Sequence, residues 1–269
     1  MRDAFIAAKS RGVTVRLVTD KDSYPTGFPA LEAAGIPVVQ DSRSALMHDK
    51  FAIVDDMAVW TGSFNFTTSA ALNQNNNALT LASPKLAANF SAEFREMFES
   101  RKFGPTSPKG VPYPTVAVGA AKVDTLFAPE DEVGTRIAAE VRAAKTSVKF
   151  LAFSFTHDAI GQAMLDAATA GVKVEGIVEK TTANSTGAEY PRLKAAGLDV
   201  RVDANPAFMH SKVVIIDAST VITGSFNFSA SADDSNDENI VVVKDAPEVA
   251  AAYTAEYERI RQTAISAGN

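Results

Sequence analysis

The chain has 269 residues, 46% hydrophobic and 22% charged, with a formal net charge of −6 and no cysteine. These values fit a globular protein of one large or two medium domains and exclude disulfides and thiolate metal sites; no apolar run approaches the roughly 18 residues of a membrane span. The charge is uneven, +1 over residues 1–110 and −7 over residues 111–269, with no basic cluster, which counts against strong nonspecific binding to nucleic acid.

Residues 1–13, MRDAFIAAKSRGV, have the period of an amphipathic helix and not the layout of a signal peptide. From Met47, MHDKFAIVDDMAVWTGSFNFTTSA reads as a β-hairpin. A two-residue turn at Asp56-Met57 would set Lys50 opposite Ser63 and His48 opposite Asn65, all on one face. Asp55 has the other parity and is expected to be structural. Asn73–Asn77 form a polar run. PKLAANFSAEFREMFES (84–100) reads as a helix, and the Pro- and Gly-rich FGPTSPKGVPYPT (103–115) as the start of a linker. Residues 123–160 read as strand, helix, strand and helix start. A second hairpin, MHSKVVIIDASTVITGSFNFSASA, begins at Met209.

The two hairpins match without a gap at an offset of 162. His48 falls on His210, Lys50 on Lys212, Asp55 on Asp217, Ser63 on Ser225 and Asn65 on Asn227. LNQNNNALTL (72–81) continues onto DSNDENIVVV (234–243), and FIAAKSRGVTVRLVTDK (5–21) aligns with MLDAATAGVKVEGIVEK (164–180). The chain is therefore an internal repeat. Its division is a first repeat over 1–102, a linker over 103–122 and a second repeat over 123–269. Met1 falls opposite Ile160, so the strand–helix–strand of 123–160 has no counterpart in the first copy. A fragment, a misassigned start and a reduced lobe all stay open. The location is expected to be cytoplasmic by default, or exported if a leader preceded this sequence. The incomplete lobe would expose an edge, through which dimerisation is expected.

One His, Lys, Ser and Asn make half a phosphate site. Two copies around a pseudo-twofold axis would supply paired cations and amides for the phosphate, one imidazole to attack phosphorus and one to protonate the leaving oxygen. His157 lies outside the repeat match and is expected to be structural. The Phe residues of GSFNF read as core. Asp233, Asp234 and Asp237 read as a solvated acidic loop that would repel a polyanion.

The doubled H-x-K-x4-D motif, His48-Asp-Lys50 with Asp55 and His210-Ser-Lys212 with Asp217, each followed by GSFN, resembles the phospholipase D superfamily. The resemblance covers nearly the whole chain. It implies an α/β fold of two pseudo-twofold-related repeats, each a mixed sheet flanked by helices, and a phosphohistidine mechanism with no metal and no other cofactor. It also implies that Glu238, 28 residues after His210, hydrogen-bonds the motif imidazole. The same position in the first copy is Asn76. On that reading Glu238 keeps His210 protonated as the acid and Asn76 orients His48 as the nucleophile. Hydrolysis of a phospholipid head-group ester to phosphatidate is the leading substrate reading. A nuclease acting on DNA or RNA and a truncated, inactive binding module are the alternatives.

Overall fold

The Val- and Ile-rich runs of the second repeat are buried on both faces, as strands 212–216 and 238–244 show. Strands of that kind need helices on both sides of their sheet, and the repeat supplies them. The computed structural model describes residues 1–23 and 28–268. The first lobe runs α1 (Arg2–Ser10), β1 (Leu17–Asp20), α2 (Phe28–Ala33), β2 (Val38–Asp41), β3 (Phe51–Val54), β4 (Ala58–Gly62), α3 (Thr68–Leu72), β5 (Ala78–Ala82) and α4 (Pro84–Phe98). The second runs β6 (Thr115–Val118), β7 (Ala121–Ala128), α5 (Val133–Ala143), β8 (Ser147–Ala152), α6 (Asp158–Thr169), β9 (Lys173–Val178), α7 (Tyr190–Ala195), β10 (Asp199–Val202), β11 (Lys212–Ile216), β12 (Thr220–Gly224), α8 (Ala230–Asp234), β13 (Glu238–Lys244) and α9 (Pro247–Ser266).

The second lobe is one eight-stranded mixed sheet of order β10-β9-β8-β11-β12-β13-β7-β6. Helices α5 and α6 pack on one face around Phe150, Ile137, Ile160 and Met164. Helix α9 covers the other with Tyr257 and Ile260. In the first lobe the same arrangement is broken into a two-stranded sheet, β1-β2, and a three-stranded sheet, β3-β4-β5. The counterparts of β7, α5 and β8 are not among the described elements. The mixed α/β architecture expected from the resemblance is therefore present, with an eight-stranded sheet in one lobe and two smaller sheets among the described residues of the other.

The expected hairpin register is off by one. Val54 pairs with Ala58 and Phe51 with Thr61, which sets Lys50 level with Gly62 rather than Ser63. The second hairpin repeats this, with Ile216 on Thr220 and Val213 on Thr223. The reason lies in the turn. Asp55 and Asp56, like Asp217 and Ala218, have positive φ, a conformation that Asp tolerates better than most residues. The Met57 N–H closes on the Val54 carbonyl at 3.0 Å. Met57 is then an extra residue before the return strand.

The expected linker is also partly structured. Residues 115–118 form the edge strand β6, with Val116 paired to Val123. Phe103 is buried against Val39 and Met97 of the first lobe. Helices α3 and α8, which the sequence pattern did not suggest, are single turns. The Thr67 and Ser229 hydroxyls cap them by accepting from the Ala70 and Ala232 N–H groups.

Asp217 is structural in a definable way. Its carboxylate accepts from the N–H groups of Lys145, Thr146 and Ser147 and so pins the start of β8. Burial pushes its pKa up, but these donors outweigh burial and hold it below the ordinary value. Its repeat mate Asp55 is exposed and pins no strand among the described residues. Both Asp55→Ala and Asp217→Ala put alanine in the left-handed region, and Asp217→Ala should cost about 2 kcal/mol more at neutral pH. The Asp217 contribution is present above the usual carboxyl pKa and fades as pH falls through the depressed one. Urea denaturation of both variants at pH 7 and pH 3 checks this.

Candidate active site

Each motif histidine sits just before a hairpin strand, and the two approach each other because the lobes exchange short bridges. Met47 pairs with Asp237, and Asn75 with Met209. The His48 N–H donates to the Asp237 carbonyl at 2.9 Å, and the His210 N–H to the Asn75 carbonyl at 2.8 Å. A buried acid at the end of β1 in one lobe, and just after β9 in the other, holds the residue before the histidine. The Met47 N–H donates to Asp20 and the Met209 N–H to Glu179.

The lysines are placed identically. Lys50 Nζ donates to the His48 carbonyl at 2.8 Å and Lys212 Nζ to the His210 carbonyl at 2.6 Å. Both are buried. Burial lowers the Lys50 pKa to about 8, against the pull of Glu238 and Asp49. Burial and the Lys50 charge push Lys212 well down. Each ammonium has N–H groups to spare for an anion.

The acid partner lies across the interface, not within its own repeat. Both oxygens of Glu238 lie 2.8 Å from His48 Nδ1. His210 Nδ1 instead faces the Ser63 carbonyl at 3.1 Å and Asn76 Oδ1 at 3.0 Å. This corrects the expected pairing of Glu238 with His210 and Asn76 with His48. The physical reason is sheet order. Strand β12 separates β11 from β13, so Glu238 stands two strand spacings, about 9.6 Å, from its own motif strand. The facing lobe brings His48 closer.

Both imidazoles meet acceptors at Nδ1, which fixes the proton there and leaves Nε2 as the reactive nitrogen. Burial lowers the His48 pKa, and Glu238 opposes it. Among the described residues His210 has no carboxylate hydrogen-bond partner, and burial together with Lys212, Lys50 and His48 lowers its pKa to about 2. Asn76 is locked by donating Nδ2 to the Ala70 carbonyl and Gln74 Oε1.

The serines do not face open space. The Ser63 hydroxyl donates to Asn76 Oδ1 at 3.0 Å and the Ser225 hydroxyl to Glu238 Oε2 at 2.5 Å. They position the groups behind the imidazoles rather than offering a hydroxyl to phosphate, which corrects the phosphate-binding expectation for both. Gly62 and Gly224 precede them because a Cβ there would collide with the Asn77 and Asn239 carbonyls. Asn65 and Asn227 are half-buried; Asn227 Oδ1 has no protein partner among the described residues.

Sequence reasoning missed a ring of cross-lobe amides. Asn239 Nδ2 donates to Thr61 Oγ1 and Asn77 Nδ2 to Thr223 Oγ1, both at 2.7 Å. The identity of Asn77 with Asn239 and of Thr61 with Thr223 in the repeat match was the available signal. Phe153 was also missed; it lies in the segment without a repeat mate. Its ring centroid is 4.7 Å from that of His210 and 4.7 Å from Lys212 Nζ.

The acidic loop is not solvated throughout. Asp233 bonds His157 and caps α5 through the Gly134 N–H. Asp237 is buried between Arg43 and the Gly104 N–H, and burial pushes its pKa up to about 7. Only Asp234 of the three is exposed, so charge repulsion of a polyanion loses most of its basis.

A family model described as a cardiolipin synthase, phospholipase D-like domain matches residues 1–98 and 137–261. The chain belongs to the phospholipase D family. A phospholipase D of Rickettsia bellii is 35% identical over 146 residues, which is 54% of this chain and 72% of that protein. The crystal structure of Nuc, a phospholipase D family member from Salmonella typhimurium, superposes with a TM-score of 0.50 at 30% identity, over 53% of this chain and 95% of that one. Those shares are what one repeat of this two-repeat chain would give. A phosphatidylserine synthase from Haemophilus influenzae shares the fold over 97% of this chain and 76% of its own, with a TM-score of 0.73 at 12% identity. The reaction class is phosphodiester chemistry of the phospholipase D type.

The depressed pKa of His210 makes a direct prediction. With the site empty its imidazole should stay neutral between about pH 5 and pH 8. A bound tetrahedral anion opposes the lysine charges and should raise the pKa. NMR titration of the His210 ring, with and without tungstate, should show titration entering that window only with the anion.

Proposed function

We propose that this phospholipase D-family chain hydrolyses phospholipid head-group esters through a phosphohistidine on His48. The observation that carries the division of labour is the carboxylate of Glu238 on His48 Nδ1. It fixes the tautomer whose Nε2 lone pair can attack phosphorus, and it balances the positive ring that forms. His210 is the proton donor. The substrate phosphate supplies the negative charge that the empty site lacks, so the acid becomes protonated when substrate is bound. Lys50 and Lys212 hold the non-bridging oxygens, with Asn65 and Asn227 beside them. Attack by Nε2 breaks the bond to the leaving oxygen, which takes the His210 proton. Neutral His210 then accepts a proton from water as that water attacks the phosphohistidine and frees His48. Glu238, Asn76, Ser63 and Ser225 position the two rings; Asp55 and Asp217 belong to the turns.

The lipid reading rests on the wall beside His210. Phe153 packs on the His210 ring and, at 5.6 Å between centroids, on Phe208. Phe208 is 38% exposed, and its repeat mate Leu46, two residues before His48, is 40% exposed. Apolar side chains thus flank both motifs, where an acyl chain or glycerol backbone would lie. Among the described residues no helix is long and apolar enough to cross a membrane.

Three measurements test this. With EDTA present, the protein should release head group from phosphatidylcholine vesicles and leave single-stranded DNA intact; preferential DNA cleavage would overturn the lipid reading, and loss of activity restored by Mg²⁺ would overturn the mechanism. Phe208→Ser should lower vesicle turnover about tenfold, the scale of one lost apolar contact surface, with little change on bis(p-nitrophenyl) phosphate. His48→Ala should form no phosphoenzyme. His210→Ala should accumulate one from a nitrophenyl ester, whose leaving group needs no proton. Mass spectrometry that finds phosphate on His210 in the His48→Ala protein would reverse the two roles.

A further inference from the structure

Strand β8 ends at Ala152, which pairs with Lys212. The carbonyls of Ala152, Phe153 and Ser154 are each held by another segment. The Glu179 N–H donates to Ala152 at 3.0 Å, the Thr182 hydroxyl to Phe153, and the Phe228 N–H to Ser154 at 3.1 Å. The backbone on both sides of Phe153 is therefore fixed, and the chain bends there. Beyond the regular strand the side chains no longer alternate strictly between faces, and the Phe153 ring turns onto the second motif. Its centroid lies 4.7 Å from Lys212 Nζ and 4.7 Å from the His210 ring centroid, tilted at 56° to that ring. The partly exposed Phe208 meets it edge-on, at 5.6 Å and 80°.

The two half-sites give their lysines different neighbours. Asp49 follows His48 in the first motif, and its carboxylate pulls on Lys50. Ser211 stands at that position in the second motif, a neutral group whose hydroxyl reaches the Asn75 carbonyl at 3.4 Å. The charged groups that face Lys212 are Lys50, which opposes its charge, and Glu238, which supports it; burial opposes it as well. An aromatic face attracts an ammonium through the quadrupole of the ring, most strongly where water is excluded. It does so without a net charge, so it does not repel a phosphate as a further carboxylate would. The same ring bears on His210. The Nδ1 contacts of that imidazole, to the Ser63 carbonyl and Asn76 Oδ1, hold one edge of the ring and leave its plane free to tilt about that edge. Phe153 closes this freedom from the side.

We propose that Phe153 is a positioning residue of the second half-site. Its face keeps the Lys212 ammonium charged and directed at the phosphate, and its packing keeps His210 Nε2 aimed at the leaving oxygen. Phe208 braces the ring from the exposed side. This role rests on the functions of Lys212 and His210 proposed above. Packing and the π face act on Lys212 in opposite directions. As an apolar wall the ring keeps water out and lowers the lysine's pKa; as a π face it favours the ammonium and raises it. Leucine at this position would keep the wall and lose the face, and tyrosine would keep both.

The test uses the full chain with lysine labelled by carbon-13 at Cε, so that NMR follows Lys50 and Lys212 separately, the signals being assigned from Lys50→Arg and Lys212→Arg proteins. Phe153→Leu should lower the Lys212 pKa by about half to one pH unit, with a smaller shift at Lys50, and Phe153→Tyr should return it. The kcat of Phe153→Leu should fall about tenfold on phosphatidylcholine, whose alkoxide needs the His210 proton, and about twofold on bis(p-nitrophenyl) phosphate, whose leaving group does not. A rise of the Lys212 pKa in the Phe153→Leu protein would mean that the ring only excludes water, and it overturns the proposal. So does an equal shift of both lysines, or an equal loss on both esters. Lys212→Met separates this role from the reading of the site. If it abolishes turnover while Phe153→Leu titrates and turns over as the unaltered protein does, the role of Phe153 falls and the site stands. If Lys212→Met keeps full turnover, both fall.

Discussion

The site depends on two short backbone exchanges between the lobes. Residues 47 and 237 pair, and residues 75 and 209 pair. Each exchange anchors the segment just before one histidine on the segment just before the other lobe's last core strand. The catalytic groups therefore inherit the rigidity of backbone hydrogen bonds rather than that of a loop. The Asn239–Thr61 and Asn77–Thr223 bonds repeat the linkage in side chains. A displacement of either lobe would break backbone pairs buried away from water, which is costly. That cost keeps two half-sites in one geometry.

Within that frame the two halves are equal in scaffold and unequal in charge. Both lysines reach back to the carbonyl of their own histidine, and both serines bond the residue behind the facing imidazole. Glu238 and Asn76 then differ by one ionisable group. A carboxylate beside His48 favours a cationic ring there, as the proposed phosphohistidine would be. An amide beside His210 leaves that ring's protonation to its other neighbours, which are cations until a phosphate arrives. In the proposed mechanism the asymmetry couples the His210 proton to substrate occupancy, a use of the low dielectric that buried charge normally penalises.

The first lobe holds its half of the site on a three-stranded sheet. Its motif strand is held by β4 and β5 on one side and by the second lobe through the exchanges. Helix α4 covers it with Phe90 and Leu86, packed against Phe127 and Val123 of β7. The motif end of the hairpin is therefore held in place, and its exposure falls at the turn, at Val54 and Met57.

The sequence by itself determined the repeat, the mixed α/β fold and the family, because these rest on local spacing. A strand alternates faces, a helix turns every 3.6 residues, and a duplicated motif of 24 residues leaves no other alignment. It also showed that residues 123–160 have no match within residues 1–102. Only the tertiary structure decided which acid serves which histidine. Glu238 is 28 residues from His210 along the chain, but sheet order inserts β12 between them, and the lobe interface sets it against His48. The hairpin register turned on two left-handed residues whose conformation no apolar pattern records. The serine hydroxyls and Asp237 were assigned by what surrounds them. Burial and cross-lobe hydrogen bonds are properties of the assembled pair of lobes, and no window of one strand contains them.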